Sequence, residues 1–124
     1  MTYDVQIFLT IWKYTVKAER VTELMGVEPD TVLIKSSDRK TPRYNTWIIK
    51  SNALSQRSNI GEHWTNLVYR ISGKEPVIFA ISSWADVVCT IWIQDIASRP
   101  VISLSSDFIR FISNSGARFE IDYA

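Results

Sequence analysis

Between Asp4 and Lys13, Val5, Ile7, Leu9 and Ile11 share one parity and Gln6, Phe8, Thr10 and Trp12 the other. A period of two belongs to an extended chain, whose side chains leave alternately to opposite faces, so the segment is predicted to be a strand with one uniformly aliphatic side. The alternation returns from Asp86 to Asp95, where Val87, Cys89, Ile91 and Ile93 oppose Val88, Thr90, Trp92 and Gln94. It returns again from Ala117 to Tyr123, with Phe119, Ile121 and Tyr123 against Arg118, Glu120 and Asp122. Two shorter β runs, Thr31 to Lys35 and Thr46 to Lys50, flank a polar, basic connection and read as a hairpin with a long loop.

Helical spacing appears between these runs. Val21, Leu24 and Met25 form an apolar stripe before Gly26, which predicts a short helix from about Ala18 to Met25. Asn59 followed three positions later by Glu62 is a capping box, and Ile60, Trp64, Leu67, Val68 and Ile71 then mark one helix face before Gly73. Pro76 suits a first helical turn, and Val77, Ile78, Ala80, Ile81 and Trp84 fit a helix, although Val77-Ile78-Phe79 also fits a buried strand. Ser105 or Ser106 can cap a last helix, with Asp107 in its first turn, Phe108, Phe111 and Ile112 on its buried face, and Gly116 at its end.

The predicted order is β-α-β-β-α-(α)-β-α-β without a Gly/Ser linker, and residues 1–124 read as one α+β domain. The expected architecture is a ferredoxin-like antiparallel or mixed sheet with helices on one face. Asp4-Val5 and Asp86-Val87 each open a strand containing Ile-Trp (Ile11-Trp12, Ile91-Trp92), followed by a helix, a glycine and another strand. This fits two related halves or a chance match.

Composition narrows the function classes. The chain has 124 residues, 46% of them hydrophobic, which suffices for one domain with a core and excludes a two-domain enzyme. A net charge of +1 provides no global field toward nucleic acid or an anionic membrane. The longest apolar runs are broken by Gln6, Thr10 and Thr90 and fall short of a spanning helix. Asp4 stands where a secretory signal needs basic residues, so export is not expected and a cytoplasmic, reducing location is. A single cysteine, Cys89, and a single histidine, His63, exclude a disulfide framework and the usual His/Cys metal sites, and no cofactor is expected.

Candidate catalytic groups are few. His63 falls in the first turn of a helix and reads as a surface or half-buried residue rather than a base. Cys89 lies on the inward parity of a strand, where a thiol stays protonated and shielded. No phosphate-binding glycine loop and no recognised hydrolase or redox motif occurs. Glu120 and Asp122 share a strand face at i, i+2, about 7 Å apart, a spacing compatible with paired-acid chemistry. Ordinary solvated charges explain them equally, and an acidic binding patch with Asp86 and Asp95 is the preferred reading.

If the helices cover one face of the sheet, Trp12, Phe8, Trp92 and Val88 are left on the other with Gln6, Thr10, Thr90 and Gln94. A surface at once aromatic and polar suits a protein interface, including a homodimer, in which Trp12 and Trp92 supply anchoring area. The alternative is internal cover by the Lys35 to Arg43 segment. An RNA-stacking platform fits less well, because only Lys35, Arg39, Lys40 and Arg43 are distinctly basic and the last strand adds acids to the same face.

Leu24-Met25-Gly26-Val27-Glu28-Pro29, Trp47-Ile48-Ile49, Leu104 to Ile109 and Ser115 to Tyr123 resemble the small bacterial family of domain of unknown function 4279 over nearly the whole chain. Its Leu-x-Gly-x-x-Pro and Gly-Ala-x-hydrophobic-x-hydrophobic-Asp motifs are turns and core positions. Between Asp38 and Asn45 the chain departs from the more glycine-rich basic loop of members. The resemblance implies no catalytic residues. It implies a small cytosolic protein, and some similar small domains act as immunity proteins that neutralise a cognate toxin.

The resulting expectation is a non-catalytic protein-binding module, with a cognate toxin as the protein partner and Trp12, Trp92, Asp86, Asp95, Glu120 and Asp122 as contacts. The alternative is a self-associating, homodimeric structural or small-ligand-binding domain. An enzyme using Glu120 and Asp122 is the third reading.

Overall fold

In the computed structural model, which describes residues 4–51, 59–94 and 102–123, the first alternating segment becomes β1 (Asp4–Trp12) at the centre of a five-stranded sheet. Its aliphatic side is buried and its Gln6, Phe8, Thr10 and Trp12 side half-buried. The chain continues as α1 (Ala18–Met25), β2 (Thr31–Leu33), β3 (Thr46–Lys50), α2 (Ile60–Ile71), α3 (Glu75–Ile81), β4 (Asp86–Gln94), α4 (Ser106–Ser115) and β5 (Arg118–Tyr123). The expected start and stop signals operate. Gly26 takes φ 70° and its N–H closes on the Thr22 carbonyl, a left-handed cap that any side chain would strain. The Asn59–Glu62 capping box opens α2, and the Ser105 side chain accepts from the Phe108 N–H at the start of α4.

One boundary differs from the sequence pattern, and one ambiguity is resolved. β2 ends at Leu33 rather than Lys35. The segment after Pro76 is helical: Ile78 and Ile81, three apart, both turn into the core, while Phe79 faces outward and is 60% exposed. A strand would have put Val77 and Phe79 on one side, and the proline ring in the first turn removes only an N–H that has no helical partner anyway.

Strand order is β2-β3-β1-β4-β5, with β1 antiparallel to β3 and β4, β2 antiparallel to β3, and β5 parallel to β4. The sheet is open and mixed, and the architecture is α+β. β3 lies between β1 and β2, and β1 between β3 and β4, so each of these crossovers spans an intervening strand, as in a split β-α-β unit. β4-α4-β5 instead places its two strands side by side. The two Asp-Val…Ile-Trp segments therefore sit in unlike topological settings, although β1 and β4 pair directly along their whole length.

All four helices pack on one face. The core joins the odd-numbered side of β1 to Trp47 and Ile49 of β3, to Val87, Cys89, Ile91 and Ile93 of β4, and to Val21, Met25, Leu67, Ile71, Ile78, Ile81 and Phe108 of the helices. Trp64 of α2 lies 4.4 Å from the Phe108 ring and 5.1 Å from Phe111, and Phe108 reaches Phe119 of β5 at 5.6 Å. This aromatic column ties α2, α4 and the outermost strand together.

Candidate functional site

The face without helices carries the even-numbered side chains of β1, and the register decides what stands beside them. Trp12 is opposite Asp86, and Gln6 opposite Trp92. On the other side of β4, Thr90 is opposite Glu120 and Trp92 opposite Asp122. Five of the six sequence-selected residues, Trp12, Trp92, Asp86, Glu120 and Asp122, thus share one surface. Asp95 lies outside the described residues. Trp92 is half-buried and Glu120 and Asp122 are exposed.

The five residues are not equally free. Arg118, on the same face, donates from Nε to Asp86 Oδ1 (3.1 Å), from Nη2 to Asp86 Oδ2 (2.9 Å) and from Nη1 to Glu120 Oε1 (3.0 Å). That two-pronged bond holds the Asp86 carboxyl below the usual carboxylate range, with nearby Trp12 and Lys13 adding to the effect. One guanidinium serves two of the three carboxylates, and Asp122 has no ion pair among the described residues.

Trp12, opposite Asp86 in the register, is covered from within the chain. Its indole meets Tyr44 edge to face at 5.4 Å, and the Lys13 ammonium lies 4.6 Å from the Trp12 ring and 5.0 Å from Tyr44. Arg43 stacks beyond it, 5.9 Å from Tyr44. Lys13 turns out of β1 at φ 63°, where its N–H donates to the Asn45 carbonyl. The end of the 35–45 connection therefore covers Trp12 from within the chain, while Trp92 has no ring partner among the described residues. The sheet face is zoned: cationic and self-packed at Trp12, acidic around Trp92. The sequence reading passed over Tyr44 and Lys13, since nothing in a loop pattern announces an edge-to-face contact with a strand.

His63 lies deeper than the surface or half-buried position expected for it, at 1% exposed. One turn into α2 it points at the sheet, where its Nδ1 lies 2.7 Å from Ser51 Oγ. Ser51 Oγ also accepts the Ile7 N–H at 3.1 Å, so the one hydroxyl is engaged by the β1 backbone and by the imidazole together. A serine and a histidine in contact raise the question of nucleophilic catalysis, but both are shielded from solvent and the hydroxyl is committed to backbone and ring. The pair is a polar pin between β1, β3 and α2. Cys89, likewise buried, has its thiol pushed up to about 12 by burial, which removes its thiolate chemistry at neutral pH.

The pin has a pH signature. Burial lowers the His63 pKa below its ordinary 6.5, with Glu62 opposing weakly, so the folded state binds a proton less readily than the unfolded chain. The stabilisation is complete above pH 6.5 and declines as pH falls through 6.5 toward the folded-state value. His63 is the only histidine, and carboxylates titrate lower, so thermal melts between pH 7.5 and 5 are expected to show a falling Tm that a His63→Leu variant flattens. An unchanged slope in that variant would remove His63 from the acid response.

Among the described residues no helix is long and apolar enough to cross a membrane. Nor does any group of three or more His, Cys, Asp or Glu side chains there form a metal-binding cluster. Comparison with curated proteins and with solved structures gives no match. The family model described as Domain of unknown function (DUF4279) matches residues 2–124. Because that match covers essentially its whole length, the chain belongs to the DUF4279 family.

Proposed function

We propose that the chain is a non-catalytic protein-binding module of the cytoplasm that docks a partner protein on the open face of its sheet, in the manner of an immunity protein covering the active surface of a cognate toxin. The observation that carries this reading is the register that sets Trp92 beside Asp122 and, through Thr90, near Glu120, on a face the helices leave free. A half-buried indole within an acidic rim combines an anchor with charge that sets orientation, and it fits a basic partner surface. Trp12 and Asp86 serve as the fixed border of that surface, since Tyr44 and Arg118 already hold them. The burial of Ser51, His63 and Cys89 supports a role without covalent chemistry.

A homodimer is the second reading. Ile121 and Tyr123, on the side of β5 away from its charges, are 40% and 43% exposed, and they favour self-association through side-chain packing rather than strand pairing.

Tagged wild-type chain and a Glu120→Lys/Asp122→Lys variant would be compared in pull-downs from the native cells, with light scattering giving the mass of the purified chain. The expected result is one captured protein that is toxic when expressed alone, is neutralised by co-expression of the wild type, and is lost with the variant. A dimer that Trp92→Ala converts to a folded monomer, with no protein captured, would replace docking by self-association.

A further inference from the structure

The opposite edge of the sheet differs from β5 in kind. β5 alternates Arg118, Glu120 and Asp122 along one side, the charged pattern that discourages pairing with another strand. Among the described residues β2 has only β3 as a strand neighbour, and the stretch from Thr31 to Ile34 carries no charge. Leu33 is 43% and Ile34 67% exposed. Val32 pairs with Trp47 and so faces the helix side, as does Ile34 two residues on, whereas Leu33 faces the open side. Beside this edge, α1 and the turn after it leave a groove of about 660 Å³, with Ala18, Val27, Val32 and Ile34 for a floor. Its border carries Glu19, Glu23 and Glu28. Among the described residues Glu23 pairs only with the exposed Arg20 one turn away, and Glu19 and Glu28 have no ion pair.

We propose that the β2 edge and the α1 groove bind an extended segment of a partner protein by strand addition, the segment alternating aliphatic residues with Lys or Arg. The mode follows from the parts. A strand beside β2 gains main-chain hydrogen bonds, and every second side chain enters the groove against α1. Lys and Arg lay their methylene stems on Val32 and Ile34 while their heads reach the three carboxylates. A second copy is a poor occupant, because antiparallel β2–β2 pairing would set three glutamates against three. This surface is separate from the Trp92 face and stands or falls without it.

The test is an NMR titration of the full chain with the acetylated, amidated peptide Lys-Val-Lys-Val-Lys-Val and with Glu-Val-Glu-Val-Glu-Val as control. The basic peptide is expected to shift the amides of Thr31 to Ile34 and Glu19 to Glu28, with a Kd below about 1 mM. The triple variant E19Q/E23Q/E28Q, whose changes lie on exposed positions and should leave the rest of the spectrum unaltered, is expected to bind about 5-fold or more weakly, as would the wild type in high salt. An equal response to the acidic peptide, shifts elsewhere, or no response overturns the proposal. Concentration-dependent shifts of the same amides without peptide would overturn it too, assigning the edge to a second copy.

Discussion

Trp47→Ala is expected to cost about 3–5 kcal/mol of stability. Trp47 is the largest fully buried side chain, at 0% exposure, and sits between Ile11 of β1 and Val32 of β2 across the sheet. Its Nε1 donates to Thr22 Oγ1 at 3.0 Å, and that hydroxyl in turn donates to the Ala18 carbonyl, so the ring also fastens α1 to β3. Truncation removes the burial energy, opens a cavity under α1 and orphans part of that chain of bonds. A domain of this size has about 5–15 kcal/mol in total, so the variant stands close to the unfolding threshold. Urea denaturation followed by circular dichroism checks this. A loss under about 1 kcal/mol would mean that the region collapses without cost. Trp47→Phe keeps most of the volume but not the N–H, and should lose about 1–2 kcal/mol.

The second large effect belongs to a polar junction. Arg70 of α2 donates from Nη1 to Asp30 Oδ2 at 2.7 Å and to the Lys50 carbonyl at 2.9 Å, and from Nη2 to the Glu28 carbonyl at 3.3 Å. Asp30 Oδ2 accepts the Lys50 N–H as well, at 2.8 Å. One side chain thus joins the end of β3, the entry to β2 and α2, and at 22% and 20% exposure the Arg70–Asp30 pair is screened far less than the surface pairs Arg20–Glu23 or Arg110–Asp107. Arg70→Ala should lose about 1.5–3 kcal/mol, and Arg70→Lys at most half of that deficit should be recovered, because an ammonium cannot span three acceptors in one plane. A double-mutant cycle with Asp30→Ala reads the pair directly; a coupling near zero would show that the backbone carbonyls, not the carboxylate, carry the junction. Hydrogen exchange at Thr31 to Leu33 should quicken in Arg70→Ala more than in the rest of the sheet, since β2 loses its tether there.

Much of the fold could be read from neighbouring residues. Alternation located β1, β4 and β5, and the caps at Gly26, Asn59 and Ser105 set helix ends within a residue or so. Those signals act within one turn or one pleat, so they survive without knowledge of partners. The segment after Pro76 resisted because an apolar run of that length fits either period until the layer beneath it is known. His63 resisted for a related reason: its position one turn into α2 is visible, but its burial depends on Ser51, twelve residues earlier, reaching the same point from β3.

The candidate surface divides along the same line. Which residues leave β1, β4 and β5 on the side away from the helices was determined by parity alone, so Trp12, Trp92, Glu120 and Asp122 were legible as one set. Strand order and register then decided which of them meet. Tyr44 arrives from the far end of a loop to cover Trp12, Arg118 stands where it grips Asp86, and Trp92 is left beside Asp122. The asymmetry between a charged β5 edge and a bare β2 edge likewise appears only once β3 is seen to sit between β1 and β2. Local patterning depends on bonds and side-chain directions a few residues apart, whereas pairing, covering and exposure depend on contacts between distant segments, whose free energy no single stretch of sequence contains.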